Sequence, residues 1–186
     1  MAEVQAVKNR DTIQLIGHLL EIRHSKQMSD IWNVGINLAL RISDLLAIKF
    51  SDIEEDRLTI RESKTGKMAQ IALNPRSLEI ILRIKKENPH HIYLFQSYRN
   101  QQAINKAANP LSRRSVSQAF SSIGEEISFP LGTHSMRKTR GYHLYKSTKD
   151  IARVMRMLRH SSEGVTLRYI GVTQDDIDND FRELVL

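Results

Sequence analysis

The last third of the sequence contains four polar residues whose types and spacing could bind an anion and activate a nucleophile. His134 and Arg137 are three residues apart, so on a helix they share one face and can converge on one small anion. His160 and Tyr169 follow, nine residues apart. A phenol has an unperturbed pKa of about 10 and becomes a useful nucleophile only beside cations and a general base. Each feature alone also fits a structural role, since a tyrosine among apolar neighbours usually belongs to a core.

Two cationic residues in the first half of the sequence could extend this set. Arg41 lies in an otherwise apolar segment, 40–46, where a guanidinium needs either a carboxylate or a phosphate as its partner. Asp44, three residues later, is the structural candidate for that partner. Lys64 lies at the tip of a predicted hairpin, where it is either solvated or reaches into a groove and donates a proton.

The composition is that of one soluble globular domain. The chain has 186 residues, 40% of them hydrophobic and 26% charged. No apolar run approaches the ~18 residues that span a bilayer, and we expect a cytoplasmic protein without membrane contact. The absence of cysteine excludes disulfides and thiolate metal sites. A net charge of +7 favours a polyanionic partner without naming it.

Basic side chains are concentrated before Tyr169 and acidic side chains after it. The final segment has five acidic side chains against one basic residue, Arg182. This pattern favours a nucleic-acid face next to a segment with another role, although a solvated helical surface would carry the same charges. Segment 131–169 holds nine basic side chains, Arg137, Lys138, Arg140, Lys146, Lys149, Arg153, Arg156, Arg159 and Arg168, against Asp150 and Glu163.

Hydrophobic periodicity and turn residues predict the elements that must position these side chains. The pattern indicates a mainly helical domain with one small antiparallel β-hairpin, an α+β fold. The predicted strands are 58–62 and 68–73 around a loop with its glycine at the tip, and 93–95 is either a short strand or a loop. The predicted helices are 11–23 with Asp11 as its cap, 31–40, 43–48, 75–87, 112 or 115 to 127, 134–145, 150–158, 163–169 and 174–184.

Four motifs together resemble the catalytic domain of tyrosine recombinases, the family of phage integrases, Xer resolvases and Cre. The motifs are "LALRISDLLAIKFSDI", "ESKTGKMAQIAL", "HSMRKTRGYHLY" and "LRHSSEGVTLRYIGV", in that order. The spacings from His134 to Arg137, from Arg137 to His160 and from His160 to Tyr169 match the family pattern. The resemblance runs from about residue 29 to the end of the chain and implies the tyrosine recombinase catalytic-domain fold.

The resemblance implies a nucleophile and a phosphate clamp. Tyr169 would attack phosphorus and form a 3′-phosphotyrosyl link, while Arg41 and Arg137 would bind the non-bridging oxygens of the scissile phosphate. No metal and no other cofactor is expected, because cationic side chains supply the positive charge and the phosphotyrosine keeps the bond energy for religation. The implied activity is site-specific DNA recombination or integration.

Four further residues receive supporting roles from the resemblance. Lys64 would protonate the departing 5′ oxygen, with its hairpin in the minor groove. His134 would accept or orient the tyrosine proton, and His160 would hydrogen-bond a phosphate oxygen. Asp44 occupies an acidic position with which the family supports its active site.

Two positions depart from the commonest family pattern. Arg159 stands where glycine usually precedes the histidine, and Lys138 stands where a histidine is common. Both are basic, so we expect altered phosphate contact and no loss of activity. The expected contacts with double-stranded DNA are Lys67, Lys138, Arg140, Arg159 and Arg168.

The resemblance also implies a domain organisation. We expect a catalytic domain over 1–172 and a C-terminal helix over 173–186, with no room for the separate N-terminal core-binding domain of typical members. The chain is then either an excised fragment or a compact member such as the fimbrial-switch recombinases. Ile177, Phe181 and Leu184 form an apolar stripe that either joins four protomers on DNA or folds back on its own domain.

Two other functions remain compatible with the residues. A type IB topoisomerase shares the tyrosine chemistry but relaxes one duplex, and the recombinase-like motif order argues against it. A DNA-binding regulator would keep the fold without the chemistry. All six polar positions hold competent residue types, which argues against a decayed site.

Overall fold

The structure, a computed structural model, has the mainly helical fold with a small antiparallel sheet that the sequence predicts. It describes residues 3–97, 107–183 and 185. Within these ranges the helices are α1 (Arg10–Arg23), α2 (Lys26–Leu38), α3 (Ile42–Leu46), α4 (Pro75–Glu87), α5 (Arg113–Glu126), α6 (Ser135–Thr148), α7 (Ile151–Leu158), α8 (Glu163–Ile170) and α9 (Gln174–Glu183). The strands are β1 (Ile53–Glu54), β2 (Arg57–Arg61) and β3 (Met68–Ala72).

The sheet contains the predicted hairpin and one further strand. Strands β2 and β3 pair antiparallel, with Arg61 opposite Met68 next to the connecting loop. Gly66 in that loop has a φ of 66°, a left-handed conformation that glycine adopts without strain. Strand β1 pairs with the other edge of β2. The sequence pattern missed β1 because two residues are too short to show alternation.

Two helices begin earlier than predicted because other residues cap them. Asn9, and not Asp11, caps α1, since its side chain accepts from the backbone N–H groups of Asp11 and Thr12 at 2.7 and 3.2 Å. Helix α2 begins at Lys26, five residues before the predicted start, because the Ser25 hydroxyl accepts from the Met28 backbone N–H at 3.3 Å. In both cases an upstream polar residue satisfies the free N–H groups of the first turn.

A main core fixes the N-terminal helices, the sheet and α5. Trp32 and Phe120 are fully buried and meet edge to face, with ring centroids 5.6 Å apart. The Trp32 indole N–H donates to the Ile13 carbonyl at 2.9 Å, which ties α2 to α1. Buried Leu58 and Ile60 bring β2 onto the same core. This core therefore carries α3 and the hairpin.

A second, smaller cluster lies beneath the C-terminal helices, and Tyr169 packs against it. Helices α6 and α8 approach closely at Gly141, where an added Cβ would meet Cγ2 of Ile170 at 2.6 Å. The buried residues of this C-terminal cluster are Ala6, Ala39, Tyr142, Val154, Leu158 and Ile170.

The first turn of α9 is held against its own domain. The Asp176 carboxylate pairs with Lys8 at 3.1 Å and Lys146 at 3.8 Å and accepts from the Thr173 backbone N–H at 3.0 Å. Further along, Phe181 is 81% exposed. The side chain of Ile177 and the whole of Leu184 lie outside the described residues. Among the helices that the structure describes, none is long and apolar enough to cross a bilayer.

Candidate active site

Tyr169 lies in the last turn of α8 with its hydroxyl directed at a histidine. Nδ1 of His134, the residue before α6, is 3.3 Å from the phenol oxygen. Burial raises the pKa of Tyr169, and the charge and hydrogen bond of Arg137 and the charge of Arg41 oppose this shift. The phenol is thus protonated at neutral pH but surrounded by cations that would stabilise its anion.

Arg137 is buried in α6 at the junction of two other helices. Its guanidinium donates to the backbone carbonyls of Ala39, at the end of α2, and Leu158, at the end of α7. Helix C-termini carry partial negative charge, which offsets the desolvation of the guanidinium. Burial lowers the Arg137 pKa, but an arginine remains charged at any physiological pH.

Arg41 pairs with Glu62 and not with Asp44, the structural partner that the sequence suggested. An Arg41 guanidinium nitrogen is 3.4 Å from a Glu62 carboxylate oxygen. The same oxygen is 2.8 Å from Arg159 and accepts from the Thr65 hydroxyl at 2.9 Å. Glu62, 3% exposed, is therefore a shared anchor for two arginines.

Asp44 instead holds the beginning of the hairpin loop. One of its carboxylate oxygens accepts from the backbone N–H and the hydroxyl of Ser63, at 2.9 and 2.6 Å. Asp44 is buried, so this carboxylate joins α3 firmly to the loop that carries Lys64.

His160 lies edge-on to the tyrosine. The ring centroids of His160 and Tyr169 are 4.9 Å apart and the rings are nearly perpendicular. Burial and the charges of Arg137 and Arg41 lower the pKa of His160. Burial lowers the His134 pKa as well, together with the charges of four basic residues, Arg113, Arg137, Lys138 and Arg41. Both imidazoles are consequently neutral at pH 7 in the free protein.

The hairpin does not bring Lys64 into contact with the other residues. Lys64 is exposed in the loop between β2 and β3, and it forms no hydrogen bond or ion pair with any described residue. Lys67, in the same loop, is also exposed. The structure therefore assembles Arg41, His134, Arg137, His160 and Tyr169 and leaves Lys64 exposed in the loop between β2 and β3.

The other predicted DNA contacts occupy different environments. Lys138 is 7% exposed, pairs with Glu3 at 2.7 Å and lies 5.2 Å from the centre of the Tyr169 ring. Arg168 is exposed, and its Nε donates to the Gly164 carbonyl. Arg140 and Arg159, with Arg156, line a cavity of about 290 Å³ between α7 and β3.

Arg159 has a backbone conformation that explains why glycine is common at this position. It ends α7 with a φ of 53°, in the left-handed region. A non-glycine residue is strained in this conformation, and at Arg159 the strained residue also forms the ion pair with Glu62. Glu62 lies two residues before Lys64, but its role could not be predicted from the sequence, because no local pattern shows which cation a carboxylate will meet.

A model of the phage integrase family matches residues 11–175. The chain belongs to the phage integrase family. Probable integrase/recombinase YoeC of Bacillus subtilis (strain 168) is 36% identical over 173 residues, which cover 92% of both chains. Putative integrase/recombinase y4qK of Sinorhizobium fredii is 25% identical, and the match covers 90% of this chain and 52% of the relative.

Solved structures of a recombinase and of an integrase catalytic core share the fold of this family member. XerA recombinase matches with a TM-score of 0.74 at 15% identity, over 98% of this chain and 65% of the other. The lambda integrase catalytic core matches with a TM-score of 0.68 at 20% identity, over 85% and 92%. At these identities the likeness shows the fold, and this integrase family member spans only part of several relatives.

Proposed function

We propose that this chain is a site-specific DNA recombinase that cuts and rejoins strands through a 3′-phosphotyrosyl bond at Tyr169, without a metal or nucleotide. The observation that carries the proposal is the phenol oxygen 3.3 Å from Nδ1 of His134 and next to the charge of Arg137. A nucleophile, a base and a fixed cation thus meet at one point. The alternative that Tyr169 is only a core residue does not account for these two neighbours.

The two arginines form the phosphate clamp. Arg137 donates two of its five N–H groups to carbonyls at helix ends, and these two hydrogen bonds fix the plane of the guanidinium. Arg41 is held less tightly, by one contact of 3.4 Å to Glu62. The phosphate would take the remaining donors of both arginines and neutralise them. Charge that develops on the non-bridging oxygens is then stabilised by groups already in place.

The two pKa directions set the protonation states from which the reaction starts, and both oppose proton transfer until the phenol oxygen attacks phosphorus. Tyr169 keeps its proton in the free protein because burial raises its pKa, and His134 is free to accept it because its pKa is lowered. As the phenol oxygen attacks phosphorus, Nδ1 of His134 takes the proton, the new P–O bond forms and the bond to the 5′ oxygen breaks. Lys64 gives that oxygen a proton once DNA contact brings the hairpin inward. Religation by another 5′ hydroxyl reverses each step.

Double-stranded DNA is the proposed partner. One structural relative is described as a lambda integrase dimer bound to a core site, and it matches this chain with a TM-score of 0.69. The net charge of +7 suits a phosphate backbone. Lys67, Arg140, Arg159 and Arg168 would contact it directly, whereas Lys138 would first have to leave Glu3. We expect weak affinity that decreases steeply with salt, and tight, salt-insensitive binding would contradict this expectation.

The C-terminal helix is proposed to exchange between protomers on DNA, with residues 1–172 as the catalytic domain. Its first turn is anchored through Asp176, and Phe181 beyond it is exposed for contact with a neighbour. Deletion of residues 174–186 is expected to abolish a tetramer on DNA and to leave monomeric binding intact. An unchanged assembly after this deletion would show that the helix folds back only on its own domain.

Two assays separate recombination from its rivals. Two duplexes with different labels should exchange strands, whereas a topoisomerase would rejoin each duplex only to itself. Tyr169→Phe should abolish cleavage and preserve DNA binding. If the Tyr169→Phe protein keeps the full biological effect, the chain is a DNA-binding regulator.

A further inference from the structure

A short chain of hydrogen bonds fixes the Nδ1 edge of the His160 ring. Thr166, fully buried in α8, has its hydroxyl 2.7 Å from the Ser162 carbonyl and 3.2 Å from Nδ1 of His160. The backbone N–H of His160 donates to the Met155 carbonyl at 2.9 Å, so the residue is anchored on both sides. Thr166 itself takes no direct part in the proposed reaction.

The chemistry of the three groups determines where the protons lie. A hydroxyl has one proton, and a carbonyl can only accept. The Thr166 proton therefore points to Ser162, and the oxygen presents a lone pair to His160. Nδ1 must then be the donor in the bond of 3.2 Å. In a neutral imidazole with its proton on Nδ1, the other nitrogen, Nε2, has none.

We infer that Thr166 is a positioning residue that holds neutral His160 in the Nδ1–H tautomer, so that a phosphate oxygen can bind Nε2 only after His160 takes a proton from solvent. The tautomer stands on geometry alone, and the phosphate coupling rests on the proposed function. Phosphate oxygens only accept hydrogen bonds, so an unprotonated Nε2 repels them. Binding of the phosphate is then coupled to the uptake of one proton by His160.

The charges around the ring make this coupling effective. In the free protein, burial and the two arginines keep the pKa of His160 below its usual value, and the ring is neutral at pH 7. A phosphate bound between the arginines cancels their charge and adds an acceptor, which favours the imidazolium. The charged and titratable groups that face the ring are Arg41 from the start of α3, Arg137 from α6 and Tyr169 from α8, while Arg159 is turned towards Glu62.

Two substitutions at Thr166 separate the hydroxyl from the packing. Thr166→Ser keeps the hydroxyl, and Thr166→Val keeps the shape without it. The Ser162 carbonyl still accepts the backbone N–H of residue 166 at 3.1 Å, so neither variant leaves this carbonyl without a donor. We expect both variants to fold.

Nitrogen-15 NMR of the histidine rings tests the tautomer in the free protein at about pH 8, where His160 is neutral. The wild type and Thr166→Ser should show a protonated Nδ1 and an unprotonated Nε2, and Thr166→Val should show mainly the reverse. A wild-type His160 with its proton on Nε2, or an unchanged tautomer in Thr166→Val, would overturn the inference. Cleavage plays no part in this readout, so it succeeds or fails independently of the proposed function.

The pH dependence of binding to a short DNA duplex tests the coupling. Between about pH 8 and about pH 6, one linked proton tightens wild-type binding by up to about tenfold per pH unit. Thr166→Val can donate from neutral His160, so its slope should be shallower, while Thr166→Ser should follow the wild type. Equal slopes in all three proteins would refute the coupling and leave the recombinase proposal standing.

Discussion

The two sides of the site rest on hydrophobic cores of very different size. Arg41 and the hairpin are carried by the main core around Trp32 and Phe120, whereas Tyr169 packs against the small C-terminal cluster. Less apolar surface buried beneath α8 means that less free energy opposes its displacement. Arg41, one half of the proposed phosphate clamp, is therefore built on the rigid side of the molecule, and Tyr169 on the side that adjusts more easily.

Two polar bridges cross between these regions. Arg137 joins the ends of α2 and α7 through their carbonyls. Arg159, at the end of α7, pairs with Glu62 beside the hairpin. Single substitutions can remove one bridge, or strain one region, at a time.

Removal of the buried bridge should have the largest effect. Arg137→Ala leaves two helix-end carbonyls without a donor and removes the fixed cation. We expect about a thousandfold loss of cleavage and about 2–3 kcal/mol loss of unfolding free energy. Single-turnover cleavage and urea unfolding measure the two effects. Arg41→Ala is the control, because Glu62 keeps Arg159 and stability should change little while cleavage still falls. An equal loss of unfolding free energy in Arg137→Ala and Arg41→Ala would contradict the view that, of these two arginines, only Arg137 holds the two regions together.

Strain within the C-terminal cluster should have the second-largest effect. Gly141→Ala places a methyl group 2.6 Å from Ile170 and 3.1 Å from Leu158, so α8 must move. We expect a stability loss of about 1–3 kcal/mol and a larger fall in cleavage than in DNA binding. Gly35→Ala strains the main core instead, against the flexible end of Met136. Suppose that the two variants lose the same free energy of unfolding and that Gly35→Ala impairs cleavage as much as Gly141→Ala does. The side of the site that carries Tyr169 is then not the more sensitive one.

The second bridge should give a smaller effect that depends on the replacement. Arg159→Gly relieves a left-handed backbone, worth about 1 kcal/mol, and loses an ion pair of about the same size. The net change in unfolding free energy should be near zero. Arg159→Ala keeps the strain and loses the pair, so it should be about 1 kcal/mol less stable. Thermal unfolding of both variants decides this, and equal stability would refute the compensation.

The smallest effect is a decrease in stability at mildly acidic pH. The pKa values of His134, His160 and His91 are lowered from the usual 6.5. The unfolded chain therefore binds protons first as the pH falls, so stability is highest above about pH 6.5 and is lost progressively below it. Replacing His134 and His160 by glutamine should flatten this dependence. NMR titration should give both a midpoint below 6.5, and a midpoint above it would contradict the assignment.

The sequence predicted the parts of the site that local spacing determines. The three-residue interval of His134 and Arg137, the hairpin glycine and the end of α4 before Asn88 all follow from short-range rules. Glu62 and Thr166 were missed because their partners are set by tertiary packing. Spacing made Asp44 one of two candidate partners for Arg41, with a phosphate as the other, but the Asp44 carboxylate binds the loop residue Ser63.

Covalent trapping on DNA tests the central claim most directly. The protein is incubated with nicked duplexes of randomised central sequence, from which the short cleaved fragment diffuses away and prevents religation. We predict a denaturation-resistant protein–DNA adduct whose peptide maps to Tyr169 and which Tyr169→Phe does not form. An adduct on another residue, or one that survives in Tyr169→Phe, would contradict the account.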